Sequence, residues 1–174
     1  MAVSLKAFGD ILRQGKAEVN LGPEKIVVNG IPLTGKIDHI IVDEKNKTLE
    51  IYDYKTAGYH KEKWQSHTTL YKYMLQLLFY KVLLNNSHTY RKYKITTAHI
   101  LFVVPDKKDG LVYDKPYYFD QEDENNLLDL MSSVYKLISS LEFIDDKDVF
   151  IPSDKNATIK DIKQFITLLL AKNS

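Results

Sequence analysis

The feature that most constrains the fold is an apolar strand that ends on an acid and a lysine. Residues 48–55 read as a β-strand that closes on Asp53, Tyr54 and Lys55. Alternation along a strand sends Asp53 and Lys55 to one face and Tyr54 to the other. Four other Asp-x-Lys triplets occur in the chain, but they fall in predicted turns, loops or a helix start, where charge is expected. Only Asp53 and Lys55 leave the end of an apolar strand together.

A second carboxylate is predicted on the preceding strand, across a polar turn over residues 43–47. Pairing about the middle of that turn places Asp38 opposite residue 52, within one position of Asp53. Two close carboxylates repel unless a proton or a cation lies between them. Oxygen ligands without cysteine suit Mg²⁺ or Mn²⁺, and such an ion polarises a phosphate and activates water. Asp38 and Asp53 are therefore candidate metal ligands, with Lys55 placed to position the attacking water or neutralise the scissile phosphate.

The remaining pattern predicts a single α/β (mixed α+β) domain over residues 1–174. Apolar alternation and turn residues predict strands over residues 17–21, 25–28, 31–42, 48–55, 97–104 and 111–119. Asn29-Gly30 is a strong hairpin signal because both residues tolerate positive φ. Periodicity and caps predict helices over residues 5–14, 64–84, 120–141 and 158–170. The second helix is apolar over a wide arc, which favours packing against a sheet. The first half is expected to form an antiparallel meander.

Composition excludes several classes of protein. Hydrophobic residues make up 44% and charged residues 27% of 174 residues, which argues against disorder. The chain has no cysteine, so disulfides, thiolate zinc sites and cysteine-ligated iron–sulfur clusters are excluded. No apolar run of about 18 residues predicts a membrane span, and residues 1–15 lack a signal-peptide pattern. The net charge is only +1, so basic residues cluster on one face or DNA affinity comes from a larger assembly.

Three segments in order resemble the PD-(D/E)XK nuclease superfamily, and most closely its RecB-type nuclease domains. They are Gly35-Lys36-Ile37-Asp38-His39-Ile40, then Leu49-Glu50-Ile51-Tyr52-Asp53-Tyr54-Lys55-Thr56, then Gln76-Leu77-Leu78-Phe79-Tyr80. They correspond to the family patterns G-x-I-D-R, D-Y-K-T and Q-x-x-x-Y. The resemblance implies a restriction-endonuclease-like core, a central mixed β-sheet flanked by helices.

The same resemblance implies roles for particular residues. Asp38 and Asp53 would bind Mg²⁺ or Mn²⁺ with the backbone carbonyl of Tyr54, and Lys55 would be the catalytic lysine. Gln76 and Tyr80, four apart on one helix face, would line the active site or meet the DNA backbone. Lys61 and Lys63, beside the site, are candidates for phosphate contacts.

The resemblance also implies a setting. RecB-type domains often form the C-terminus of bacterial helicase–nucleases, so the expected partners are DNA and a helicase motor, without a membrane. The expected activity is Mg²⁺-dependent deoxyribonuclease, of exonuclease type, in DNA repair and recombination in the bacterial cytoplasm. No iron–sulfur cluster is expected. The chain is then one domain, or a fragment of a larger helicase–nuclease.

Two departures from the family pattern leave alternatives open. His39 stands where the family usually has arginine, and no histidine precedes it, although family members usually carry a metal-binding histidine on an upstream helix. Glu18 resembles a family glutamate before the strands but is not assigned as a ligand. The alternatives are a catalytically weak nuclease fold that binds DNA or docks a helicase, a structural metal site, and ordinary strand-end charges with a local ion pair.

Overall fold

A computed structural model describes residues 2–56, 59, 68–140, 164, 166–168 and 171. Within them the strands are β1 (Ala2–Val3), β2 (Lys16–Asn20), β3 (Ile26–Val28), β4 (Ile31–Leu33), β5 (Lys36–Asp43), β6 (Thr48–Lys55), β7 (Lys94–Phe102) and β8 (Val112–Tyr117). Three α-helices lie in the same described residues, namely α1 (Leu5–Arg13), α2 (Thr68–Asn85) and α3 (Gln121–Ser140). Lys61, Lys63, the predicted start of the second helix at residue 64 and most of the predicted last helix lie outside the described residues.

Six strands form one mixed sheet in the order β1-β8-β7-β6-β5-β2. β6 and β7 are parallel, while every other neighbouring pair in this sheet is antiparallel. A parallel pair requires a crossover connection, and α2 lies in the stretch of chain between its two strands. The predicted fold class, a mixed sheet flanked by helices, is confirmed.

The prediction that the first half of the chain forms an antiparallel meander is wrong. β3 and β4 form a separate two-stranded sheet, and β2 pairs with β5 instead of its neighbour in sequence. The predicted hairpin itself is confirmed, because Asn29 and Gly30 have φ of 50° and 79° and link Val28 directly to Ile31. The chain leaves this hairpin at Gly35, where the predicted strand over residues 31–42 breaks in two.

Gly35 lets the chain pass close to α2. A Cβ placed on it would lie 2.5 Å from Leu83 Cδ1, and Leu83 is fully buried. The glycine at this break therefore has a packing reason, since any side chain here would collide with Leu83 of the helix. It brings the start of β5 under α2, two residues before Ile37 and three before Asp38.

The core lies between the sheet and α2, as the apolar character of that helix predicts. Buried residues of β5, β6 and β7 contact the helix residues Leu77, Tyr80 and Leu83 in one apolar cluster. A smaller cluster joins α2 to α3 through Leu78, Val82 and Leu127. α2 is therefore apolar over a wide arc because it contacts the sheet on one side and α3 on another.

The cap of α3 also follows the sequence. Asp120 Oδ1 accepts a hydrogen bond from the Glu122 backbone N–H at 2.9 Å, and three acidic residues fill the first turn. Both features stabilise a helix N-terminus. Among the described residues, no helix combines the length and hydropathy that crossing a membrane requires.

Candidate active site

The register of β5 and β6 brings Asp38 and Asp53 together. His39 pairs with Tyr52 and Ile40 with Ile51, so continuing the ladder by one residue sets Asp38 opposite Asp53. The predicted register, with Asp38 opposite residue 52, is wrong by one position. The observed register places the two candidate ligands directly across from each other, at a Cβ separation of about 4.5–5.5 Å for a regular pair.

Turn chemistry accounts for this register. The Asp43 carboxylate accepts hydrogen bonds from the backbone N–H groups of Lys45 and Asn46, and Lys47 adopts a left-handed φ of 52°. The turn therefore spans four residues, and the ladder begins at Asp43 opposite Thr48. The centre of this turn falls half a residue later than the midpoint of residues 43–47. Each residue of β5 therefore pairs with a residue one position later in β6 than predicted.

Asp38 is fixed by the backbone of the neighbouring strand. Its Oδ2 accepts a hydrogen bond from the Tyr54 N–H at 2.9 Å. The Tyr54 side chain lies on the other face of the sheet, where its ring meets Phe8 of α1 edge-on at 6.4 Å. Burial, with a further contribution from Asp38, raises the pKa of Tyr54 to about 12. Tyr54 therefore contributes its backbone N–H to the site, while its ring belongs to the opposite layer.

Asp53 is a buried carboxylate, 1% exposed. Lys55 Nζ lies 2.6 Å from Asp53 Oδ2, but this approach does not meet hydrogen-bonding angles, and the oxygen has no other aligned donor in the described part of the chain. Burial raises the pKa of Asp53; the ion pair with Lys55 opposes that effect, and repulsion by Asp38 adds to it. The pKa of Asp53 is raised on balance, so its charge is costly without a further cation.

Lys55 is joined to α2 by a directional set of hydrogen bonds. Its Nζ donates to Gln76 Oε1 at 2.9 Å, and Gln76 Nε2 donates to Tyr80 Oη at 2.8 Å. A protonated lysine can only donate hydrogen bonds. The Gln76 amide oxygen must therefore face Lys55, which leaves its NH₂ group facing Tyr80. Burial and then the charge of Asp53 raise the pKa of Tyr80 to about 12. Tyr80 therefore keeps its proton at neutral pH, and its hydroxyl group accepts the Gln76 bond as a neutral phenol.

The structure brings five predicted residues into one cluster: Asp38, Asp53, Lys55, Gln76 and Tyr80. It adds Tyr73, which sequence reasoning missed, because Lys55 Nζ lies 4.3 Å from the centre of the Tyr73 ring. Tyr73 precedes Gln76 by three residues, and residues three apart share a helix face. That spacing was the available signal.

The donor set fits a magnesium-type ion. Asp38, Asp53 and the Tyr54 carbonyl are oxygen donors, and Mg²⁺ typically takes one or two carboxylates and fills its remaining positions with water and phosphate oxygens. The buried Asp53 oxygen without an aligned donor is an acceptor that a cation would satisfy. Among the described side chains, no group of three or more His, Asp or Glu residues comes together.

Other candidates lie away from this cluster. Glu18 pairs with Lys36 at 3.0 Å on an exposed part of β2 and β5. His39 is buried on the face opposite the site, where its ring meets the rings of Tyr52 and Tyr54, and burial lowers its pKa. The basic segment 90–94 joins the start of β7 beside the start of β6, so the length of β6 separates it from Lys55.

The mixed sheet and the paired acids with a lysine at a strand end have the form expected of a metal-dependent phosphodiester hydrolase. Residues 2–153 match the family model of the PD-(D/E)XK nuclease superfamily, and the chain belongs to this superfamily. No curated protein matches the chain. Proteins of this superfamily are generally nucleases that use divalent metals such as Mg²⁺ or Mn²⁺, and the sheet and flanking helices are consistent with its restriction-endonuclease-like fold.

Proposed function

We propose that this chain is a divalent-metal-dependent DNA nuclease domain of RecB type. The observation that carries the proposal is the set of contacts around Lys55. This lysine contacts the buried Asp53 at 2.6 Å and donates to Gln76, which in turn donates to Tyr80. A buried carboxylate that a cation would stabilise, with a lysine held beside it, suits metal-assisted hydrolysis of a phosphodiester.

Each residue has a distinct proposed role. Asp38, Asp53 and the Tyr54 carbonyl hold Mg²⁺ or Mn²⁺, which when bound supplies an activated water and stabilises the leaving oxygen. Lys55 orients the attacking water or neutralises charge on the scissile phosphate. Gln76 and Tyr80 fix the direction of the Lys55 ammonium group.

The wider setting is part of the proposal. Lys61 and Lys63, which follow β6 in the sequence, contact substrate phosphates. The domain acts as an exonuclease together with a helicase motor, in the same chain or complex, in DNA repair and recombination in the bacterial cytoplasm. Two features support this setting: the three motif segments resemble RecB-type domains, and a net charge of +1 is low for a domain that holds DNA alone.

Cleavage assays with matched variants test the nuclease. Linear and circular DNA, single- and double-stranded, are incubated with Mg²⁺, with Mn²⁺ or with EDTA, using this chain and the intact parent protein. We expect metal-dependent cleavage that is lost in Asp53→Asn and Lys55→Met. Lys45→Met is the control, because Lys45 belongs to another Asp-x-Lys triplet and is exposed at the opposite end of β6. Cleavage of linear but not circular DNA identifies an exonuclease.

A catalytically weak binding or docking module is the second candidate. The observation that favours it is that only two carboxylates gather at the site among the described residues. This candidate predicts DNA binding or helicase docking that survives Asp53→Asn, and no cleavage by the intact parent protein with either metal. A purely structural metal site is distinguished by calorimetric titration with Mn²⁺ together with thermal melts. Such a site binds the metal and raises thermal stability without supporting cleavage.

A further inference from the structure

The Lys55 ammonium group has three described contacts, and the third is with an aromatic ring. Its Nζ contacts Asp53 Oδ2 at 2.6 Å and Gln76 Oε1 at 2.9 Å. The ring centre of Tyr73 lies 4.3 Å from the same nitrogen. The Lys55 side chain is 15% exposed, so little water competes with these contacts. Tyr73 belongs to none of the three motif segments.

The three contacts differ in what they fix. An ammonium group has three N–H donors and no acceptor, and the two oxygen partners occupy only part of this capacity. The negative face of an aromatic ring attracts a cation, more strongly where water is excluded. Tyr73 thus stabilises the charged lysine in addition to the two oxygen partners.

The ring matters most when Asp53 is engaged elsewhere. In the proposed function Asp53 is a metal ligand, and its charge is then shared, which weakens its hold on Lys55. Gln76 supplies one hydrogen bond and restricts Nζ in one direction. The Tyr73 ring supplies the second restraint that keeps the ammonium group beside the reacting phosphate.

We propose that Tyr73 is a positioning residue that keeps Lys55 oriented for phosphodiester hydrolysis through a cation–π contact. This inference rests on the proposed function for its catalytic consequence, but the contact itself is a property of the metal-free protein. Tyr73 also packs against the apolar core, so the competing explanation is that it only fills space.

Two substitutions separate the ring from its bulk. Tyr73→Phe keeps the aromatic face and removes the hydroxyl group, while Tyr73→Leu keeps apolar bulk and removes the ring. With saturating Mg²⁺, we expect Tyr73→Leu to lower kcat about tenfold with KM for DNA unchanged. Tyr73→Phe should remain within about twofold of the wild type, since its ring retains most of the attraction. If the leucine variant does not fold, as judged by its thermal melt, Tyr73→Met replaces it, since methionine adapts to irregular gaps.

Several outcomes overturn the proposal. Equal losses of kcat in the phenylalanine and leucine variants assign the effect to the hydroxyl group. A rise in KM alone assigns Tyr73 to substrate contact, and a lower Tm with unchanged kcat assigns it to packing alone.

A second readout does not depend on nuclease activity. The metal-free proteins are treated with an amine-acylating reagent, and modification of Lys55 is measured by peptide mass spectrometry against the exposed Lys45. We expect Lys55 to react several-fold faster in Tyr73→Leu and at the wild-type rate in Tyr73→Phe, because only the leucine variant loses the contact. Equal labelling in all three proteins overturns the inference even if DNA is cleaved. If the wild type cleaves no DNA, the proposed function fails while this comparison still decides whether the contact exists.

Discussion

Replacing Asp53 by Asn tests the electrostatics of the site directly. Asp53 is 1% exposed, and burial raises its pKa even though Lys55 lies 2.6 Å away. A raised pKa means that the charged carboxylate is less stable in the folded protein than in water, with the attraction of Lys55 already included. We therefore expect Asp53→Asn to stabilise the metal-free protein at neutral pH.

The expected gain is about 1–2 kcal/mol, the range for a buried polar group that lacks its full set of partners. A chain of 174 residues changes its Tm by about 2–4 °C per kcal/mol, so the Tm should rise by about 2–8 °C. The variant does not strand Lys55, because its Nζ keeps the hydrogen bond to Gln76 and the contact with the Tyr73 ring.

Thermal melts in EDTA and in Mg²⁺ or Mn²⁺ measure this effect together with metal binding. A metal at 100 times its Kd stabilises the wild type by about 2.7 kcal/mol, while the variant gains much less, so the order of stability reverses on adding metal. Asp129→Asn is the control, because Asp129 is exposed on α3 and should shift stability by less than about 0.5 kcal/mol. A variant less stable than the wild type in EDTA would refute the argument, since the ion pair would then be net stabilising. An equal metal-induced gain in both proteins would remove Asp53 from the ligand set.

Three further changes test other parts of the structure. Gln76→Leu breaks the link between Lys55 and Tyr80, so the single-turnover rate of DNA cleavage with saturating Mg²⁺ should fall about 10- to 100-fold. An unchanged rate would show that these hydrogen bonds do not orient Lys55 for cleavage. Gly35→Ala places a Cβ 2.5 Å from Leu83 Cδ1 and should destabilise the fold by about 1–3 kcal/mol in urea titrations, with partial recovery in the double variant carrying Leu83→Val. Burial raises the pKa of Glu24, but hydrogen bonds from the segment after α2 outweigh it and lower the pKa below 4.5. The stability that Glu24 provides is therefore complete above pH 4.5 and lost as the pH falls through the folded pKa; Glu24→Gln should cost up to about 1 kcal/mol at pH 7 and little in acid, and a pH-independent difference would contradict this.

Local signals predicted the elements that carry the site. The Asn29-Gly30 hairpin and the strand over residues 48–55 occur as expected, because each is specified by neighbouring residues. The apolar helix also packs on the sheet as predicted. These features depend on turn conformations and periodicity, which a single sequence displays.

Non-local pairing was the part that the sequence could not specify. Periodicity shows which face of a strand is apolar but not which strand lies beside it. The pairing of β2 with β5, and the separation of the β3–β4 hairpin from the main sheet, were therefore missed. The register of Asp38 was missed by one residue for a finer reason. It depends on how the Asp43 carboxylate and the left-handed Lys47 close the turn, and turn length by itself leaves that open.

The reason why the sequence did not point to Tyr73 also explains how the site is built. Tyr73, Gln76 and Tyr80 follow one another at steps of three and four along α2, and the same steps separate Leu77, Tyr80 and Leu84 of the apolar cluster. Tyr80 itself belongs to the apolar cluster while its hydroxyl group bonds to Gln76. Periodicity therefore assigns Tyr73 to the core, and only the position of Lys55 at the end of β6 shows that this part of the helix faces a charge. The packing that stabilises α2 on the sheet thus also aligns the side chains that hold Lys55, so variants that loosen the helix should reduce activity before they unfold the protein.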